Sequence, residues 1–112
     1  MNGSSAVNSY DVVVIGMGPI GVTVAGRAHA AGLSVAAVER ELVGGECSYW
    51  ACIPSKAMLR PVVAVSDARR VAGARQAVIG RVDASAVFTR RDGYVSGWDD
   101  QSLWGVRSLL AL

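Results

Sequence analysis

The run Tyr10-Asp11-Val12-Val13-Val14-Ile15 is apolar, β-branched and closed by Gly16, which predicts a short buried strand of a parallel sheet. Gly18-Pro19 then opens a stretch of good helix formers from Ile20 to Ala31, with Gly32 as its stop. A second short apolar run, Ser34 to Val38, ends on the charged Glu39-Arg40-Glu41. Strand, helix and strand within about 30 residues make a βαβ unit, whose crossover is right-handed.

Beyond Gly44-Gly45 the pattern turns helical. Pro54 and Pro61 interrupt the stretch from Cys47 to Val71, and each suits the first turn of a new helix. Two or three helical pieces are predicted there, Ser66 to Ala72 the clearest. Asp83 followed by Ala84-Ser85-Ala86-Val87 reads as an N-cap and its helix. The end, Gln101 to Leu112, carries Leu103, Trp104, Val106, Leu109, Leu110 and Leu112 with little punctuation.

The 112 residues fit one small domain with a thin core. A composition 52% hydrophobic and 18% charged is globular, and a net charge of +2 argues against nucleic acid or anionic membrane as a partner. The polar start, Met1 to Ser9, has no apolar core of a signal peptide, and no run is long enough to span a bilayer. A cytoplasmic chain is the expectation. There, a close cysteine pair is more often catalytic or metal-binding than a structural staple.

Gly16-Met17-Gly18-Pro19-Ile20-Gly21 fits G-x-G-x-x-G in its proper context, after a strand and before a helix. The first glycine permits the tight turn, the second admits a pyrophosphate against the backbone, and the third lets helix and strand pack closely. The helix start then offers free N–H groups and the positive end of its dipole. Glu39, 18 residues past Gly21, is placed to accept hydrogen bonds from a ribose, and would repel a 2′-phosphate. Dinucleotide binding follows.

Cys47 and Cys52 are five residues apart. Along a regular helix that is about 7.5 Å of rise with the side chains on different faces, beyond the usual Cα separation of a disulfide, about 7 Å. A bridge therefore requires Cys47 on irregular backbone just before or at the start of a helix, with Gly44-Gly45 supplying freedom. A helix N-terminus would also lower a thiol pKa. From spacing alone, buried free thiols remain an alternative to a redox pair. Zinc would need more ligands, and the only histidine, His29, lies in the first helix, so no metal site is expected.

The segment Gly44-Gly45-Glu46-Cys47-Ser48-Tyr49-Trp50-Ala51-Cys52-Ile53-Pro54-Ser55-Lys56 resembles G-G-x-C-x-x-x-G-C-[IV]-P-[SK]-K, the redox motif of the class I pyridine nucleotide-disulfide oxidoreductases. Dihydrolipoamide dehydrogenase, glutathione reductase and mercuric reductase are of this kind. The resemblance covers roughly Tyr10 to Asp100 and is strongest up to Pro61. It implies an α/β fold: a Rossmann-type FAD-binding βαβ unit with appended redox-disulfide helices, as an incomplete domain. It implies FAD as cofactor, NAD(P)H as co-substrate, a small disulfide or other small-molecule acceptor, and a homodimeric full-length parent.

Residue by residue, the resemblance makes Cys47 the interchange thiol and Cys52 the flavin-side thiol, which forms a charge-transfer complex as the thiolate. Gly16, Gly18, Pro19 and Gly21 would wrap the FAD pyrophosphate, Glu39 the adenosine ribose. Gly45, Glu46 and Cys47 would line the path to the isoalloxazine ring, and Lys56, the only lysine, would lie near it. Ile20, Arg40 and Gly44 complete the expected cofactor set. Two departures stand out: Ala51 replaces the usual glycine, and Tyr49-Trp50 replaces smaller residues.

Family members are far longer and carry a nicotinamide domain, a later FAD motif and a dimerisation domain with a His–Glu pair. The expected division is a flexible tail over 1–9, a partial FAD-binding domain with the redox disulfide over 10–100, and an atypical tail over 101–112 that would suit truncation or a frameshift. Such a fragment is expected to be inactive by itself. The alternatives are a non-catalytic nucleotide-binding remnant and an FAD domain of the flavoprotein monooxygenase kind.

Overall fold

The computed structural model describes residues 9–103. Most of the 101–112 tail therefore lies outside the described residues, as does nearly all of the 1–9 segment.

Strand β1 (Val12–Ile15) and strand β2 (Val35–Val38) pair in parallel, Val12 opposite Val35 and Ile15 opposite Val38. Helix α1 (Pro19–Ala30) connects them, so the expected βαβ unit is present with its boundaries moved by a residue or two. Pro19 starts the helix where a missing N–H costs nothing. Gly32, at φ +84, ends it, with Gly32 N–H bonding to the His29 carbonyl and Leu33 N–H to that of Ala28. This pair of bonds is the Schellman closure that favours glycine.

Alternation along β1 sends Val12 and Val14 toward α1, where they join Met17, Val22, Ala25, Val35, Ala37 and Val43 in the core. The other face of β1 is open: Val13 is 57% and Ile15 83% exposed. At the far end of the strands the Asp11 carboxylate accepts from the Ser34 hydroxyl at 2.6 Å and the Ser34 N–H at 2.8 Å. These bonds hold its pKa below the ordinary aspartate value and clip the two strand starts together.

Helix α2 (Gly45–Tyr49) is followed, after Trp50 and Ala51, by the 19-residue helix α3 (Cys52–Arg70). Pro54 falls in the first turn of α3 as expected. Pro61 does not begin a new piece: it lies inside α3, which runs through it. One lost i→i−4 bond does not end a helix whose two halves both have neighbours to pack on, and here α3 lies along helix α5 (Ala84–Tyr94). The short α4 (Ala74–Ala77) makes the return. Asp83 caps α5, its carboxylate accepting from Ser85 N–H at 2.9 Å and Ala86 N–H at 3.2 Å. A 3-10 turn at Ser96–Trp98 follows. Among the described residues no helix is long and apolar enough to cross a membrane.

Candidate functional site

Gly16, at φ +89, makes the turn out of β1. A Cβ on Gly21 would stand 1.9 Å from the Gly16 carbonyl oxygen, so only glycine lets α1 sit this close to the strand. Gly18 differs: a Cβ there would meet nothing within 4 Å. Its bare backbone faces a cleft of about 540 Å³ lined by Gly18, Glu39, Arg40, Leu42, Gly45 and Trp50, with Glu41 and Glu46 at its sides. The first N–H groups of α1 lack intrahelical acceptors, and no acidic side chain occupies its first turn.

These features fit the diphosphate of a dinucleotide. The open space is at the one fingerprint glycine whose substitution the protein itself would tolerate, and the helix end beside it attracts anions. The carboxylates of Glu39, Glu41 and Glu46 suit hydroxyl donors such as a ribose, and they discourage a second phosphate.

Glu39 does more than the sequence suggests. Its carboxylate accepts from Met17 N–H at 2.8 Å, Arg40 N–H at 2.7 Å and Glu41 N–H at 3.0 Å. These bonds, that from Glu41 foremost and then Met17, hold its pKa below the ordinary glutamate value. Three of roughly four acceptor positions on a carboxylate are thereby used by backbone, leaving one for a ligand hydroxyl.

Met17, an unspecified position of the fingerprint, is the hub that sequence reasoning missed. It is 1% exposed, its N–H bonds to Glu39, and its carbonyl accepts from Gly44 N–H at 2.7 Å. The phosphate turn, the end of β2 and the redox loop are thus tied through one backbone unit. No local pattern announces such a role, although an apolar residue between two glycines is a weak hint of burial.

The redox loop opens at Gly44 (φ +117) and Gly45 (φ +66), both left-handed. The spacing calls for irregular backbone at Cys47, just before or at the start of a helix; Cys47 is near the start of one, but its own backbone is helical. It occupies the third position of its own short α2, and the irregularity lies between the thiols, at Trp50 and Ala51 (φ −121, ψ −89). The physical requirement was the same, a break in the helical rise, and the chain meets it after Cys47. Ala51 adopts its conformation without the positive φ that would demand the family's glycine.

Cys47 and Cys52 are free thiols, each half-buried. Interaction with the Cys52 side chain and, second, burial push the Cys47 thiol pKa up; the Cys52 N–H and, after it, Lys56 act the other way. The lowering expected from a helix N-terminus is present at Cys47 as the pull of the Cys52 N–H, the first of α3, and is outweighed by the Cys52 side chain and burial.

Lys56 lies one turn beyond Cys52 on α3, exposed, in a separate cleft of about 250 Å³ with Ile53, Arg60, Arg90 and Tyr94. The structure thus groups Gly18, Glu39, Arg40, Gly45 and Glu46 at one cleft. Pro19, Ile20 and Gly21 form the adjoining helix start, and Gly44 is packed against Tyr49. Among the described residues no three metal-ligating side chains converge.

A dihydrolipoyl dehydrogenase of Rhizobium etli is 35% identical over 119 residues, covering 90% of this chain and 24% of that protein. A soluble pyridine nucleotide transhydrogenase of Vibrio parahaemolyticus is 54% identical over 57 residues, half of this chain and 12% of its own. Among solved structures, the Cu(II) complex of the HOCl-induced flavoprotein disulfide reductase RclA from Escherichia coli superposes with a TM-score of 0.66 at 24% identity, covering 94% of this chain and 21% of that one. At that identity the likeness is one of fold. The chain spans about a quarter or less of the length of these relatives. Pyridine nucleotide-disulphide oxidoreductases of this kind use FAD and NAD(P)H. The profile of that family matches residues 10–101, and the chain belongs to the pyridine nucleotide-disulphide oxidoreductases.

Proposed function

We propose that this chain forms the FAD-binding and disulfide-bearing part, over 10–100, of an enzyme that passes electrons from NAD(P)H through FAD to the Cys47–Cys52 disulfide and on to a small acceptor. The observation that carries the reading is the junction of the two motifs. The open backbone of Gly18, at the phosphate turn, and Gly45, at the head of the redox loop, line one cleft, and the thiols that follow are near enough for Cys52 to raise the Cys47 pKa.

Bound FAD would supply hydride acceptance and two-electron delivery to the disulfide. The chain's own part is to bind and to position. The α1 start and Gly18 hold the diphosphate, Glu39 offers its remaining acceptor position to a ribose hydroxyl, and Gly45 and Glu46 flank the way toward the ring. Lys56, one turn beyond Cys52 on α3, would take the role of tuning the flavin ring. Cys52, at the first position of α3, takes the flavin-side role, and Cys47 the interchange role. A homodimeric full-length parent acting on a small molecule in the cytoplasm fits this reading. A monooxygenase-like FAD domain would share the βαβ unit and have no use for paired thiols.

Equilibration in glutathione redox buffers, alkylation and mass analysis tests the pair. The expected result is reversible conversion of two free thiols into one intramolecular Cys47–Cys52 bridge. Thiols that never bridge, or that form only mixed disulfides with glutathione, would overturn the assignment.

A further inference from the structure

The residues after α5 turn back onto the redox loop. Val95 is 1% exposed, and the next three residues are all left-handed: Ser96 at φ 51, Gly97 at φ 62 and Trp98 at φ 62. Two of them are not glycine. Such conformations persist only where surrounding contacts over-determine them, and here those contacts go to α2. The Trp98 indole N–H donates to the Tyr49 carbonyl at 3.1 Å, satisfying an orphan acceptor at the C-terminus of that helix. The Asp100 carboxylate accepts from Val43 N–H at 2.7 Å, two residues before α2 begins.

The grip is therefore on both ends of the helix that carries Cys47. Trp98 is held from behind by the Arg91 guanidinium, 5.3 Å from its ring and paired with Asp92. The Tyr49 ring, 4% exposed, fills the space where a Cβ on Gly44 would come within 3.0 Å of it. The aromatic bulk that departs from the family motif at Tyr49 is thus directed inward, while the backbone carbonyl of the same residue is held by a segment about fifty residues away.

We propose that segment 95–100 is a positioning brace, in which Trp98 and Asp100 fix α2 so that Cys47 stays against Cys52 and thereby set the thiol–disulfide equilibrium of the pair. The proposal rests on the redox reading of that pair. Both oxidation states tolerate a fixed α2, but only the dithiol gains freedom when α2 is released. In the disulfide the bridge itself still restrains Cys47. Loss of the brace therefore favours the reduced form. The exchange is balanced: two protein thiols and one oxidised glutathione give one intramolecular disulfide and two reduced glutathiones.

The test is the equilibrium constant for that exchange, measured on the whole chain for wild type, Trp98→Phe, Asp100→Ala and Asp100→Asn. Trp98→Phe removes the indole donor and keeps an aromatic ring at the site. Asp100→Asn keeps an acceptor for Val43 N–H where alanine has none. The expected result is a roughly two- to tenfold fall for Trp98→Phe and for Asp100→Ala, in the range of one hydrogen bond, with recovery toward wild type in Asp100→Asn. Wild-type values in both Trp98→Phe and Asp100→Ala, with circular dichroism unchanged, would overturn the brace while leaving the redox pair standing. A wild-type chain whose thiols never bridge would overturn both. Should Trp98→Phe unfold, the contrast between Asp100→Ala and Asp100→Asn decides alone, and equality of those two contradicts the proposal.

Discussion

Gly45 approaches Gly18 so closely that a Cβ on Gly45 would stand 2.7 Å from the Gly18 Cα. The redox loop and the phosphate turn are therefore packed backbone to backbone, and at Gly45 nothing larger than hydrogen fits against the turn. A βαβ unit leaves its third segment free to go anywhere. This contact commits it to the dinucleotide cleft, and Met17 secures the commitment through Gly44.

Gly45→Ala and Gly18→Ala should consequently fail in different ways. Gly45→Ala meets backbone and also demands φ +66 of an alanine, so it should lower the unfolding free energy by roughly 1–3 kcal/mol. Gly18→Ala meets no protein atom and should leave denaturant unfolding close to wild type while placing a methyl in the path of the diphosphate. Unfolding curves together with FAD-binding measurements separate the two. A destabilised Gly18→Ala would show that the open space over this turn is not a ligand's.

The Glu39 carboxylate is a pH-dependent strut. Its folded pKa is depressed by hydrogen bonds from Glu41, Met17 and Arg40 N–H groups, so the stabilisation is present above the unfolded value and is lost as pH falls through the folded one. Glu39→Gln, which puts an amide NH₂ against a backbone donor, should be less stable than wild type by a constant margin between about pH 5 and pH 8. The gap should close below about pH 4, near and under the ordinary glutamate pKa. Thermal melts across that range check it, and a margin that persists in acid would contradict the carboxylate's role.

Removing Cys52 should release Cys47. The raised Cys47 pKa has the Cys52 interaction as its first cause and burial as its second, so Cys52→Ala should bring the midpoint of the Cys47 alkylation rate to lower pH. Rate against pH with a small haloacetamide reads this directly. An unmoved or higher midpoint would mean that burial, not the partner thiol, governs Cys47.

Pro61 costs α3 a hydrogen bond to the Ala57 carbonyl. Pro61→Ala should raise stability by about 1–3 kcal/mol. A lower melting temperature would show that the proline ring's place in the apolar cleft with Val65, Val82 and Val87 matters more than the missing bond.

What the sequence made legible were features whose causes are local. Valine runs, the glycine fingerprint, Gly32 and the Asp83 cap each act within a few residues, and each is where the pattern placed it. The misreadings have nonlocal or backbone causes. Pro61 looked like a boundary because the pairing of α3 with α5 that carries the helix through is not visible in its neighbours. Met17 acts through its N–H and carbonyl, which every residue but proline possesses. Trp98 and Asp100 reach Tyr49 and Val43 across 49 and 57 positions. The short helix around Cys47 depends on that distant support, so the spacing of the cysteines alone could require a break but not locate it.

The central claim is that residues 10–100 carry a working dinucleotide turn joined to a redox pair. Its most direct test grafts these residues in place of the matching segment of the Rhizobium etli dihydrolipoyl dehydrogenase, which supplies the remaining chain, and records the absorption spectrum on anaerobic reduction. The account predicts a folded, yellow protein with a long-wavelength thiolate–flavin band that Cys52→Ser abolishes and Cys47→Ser retains. A folded graft that holds no FAD, or that holds FAD and shows either no such band or one indifferent to Cys52, would contradict it.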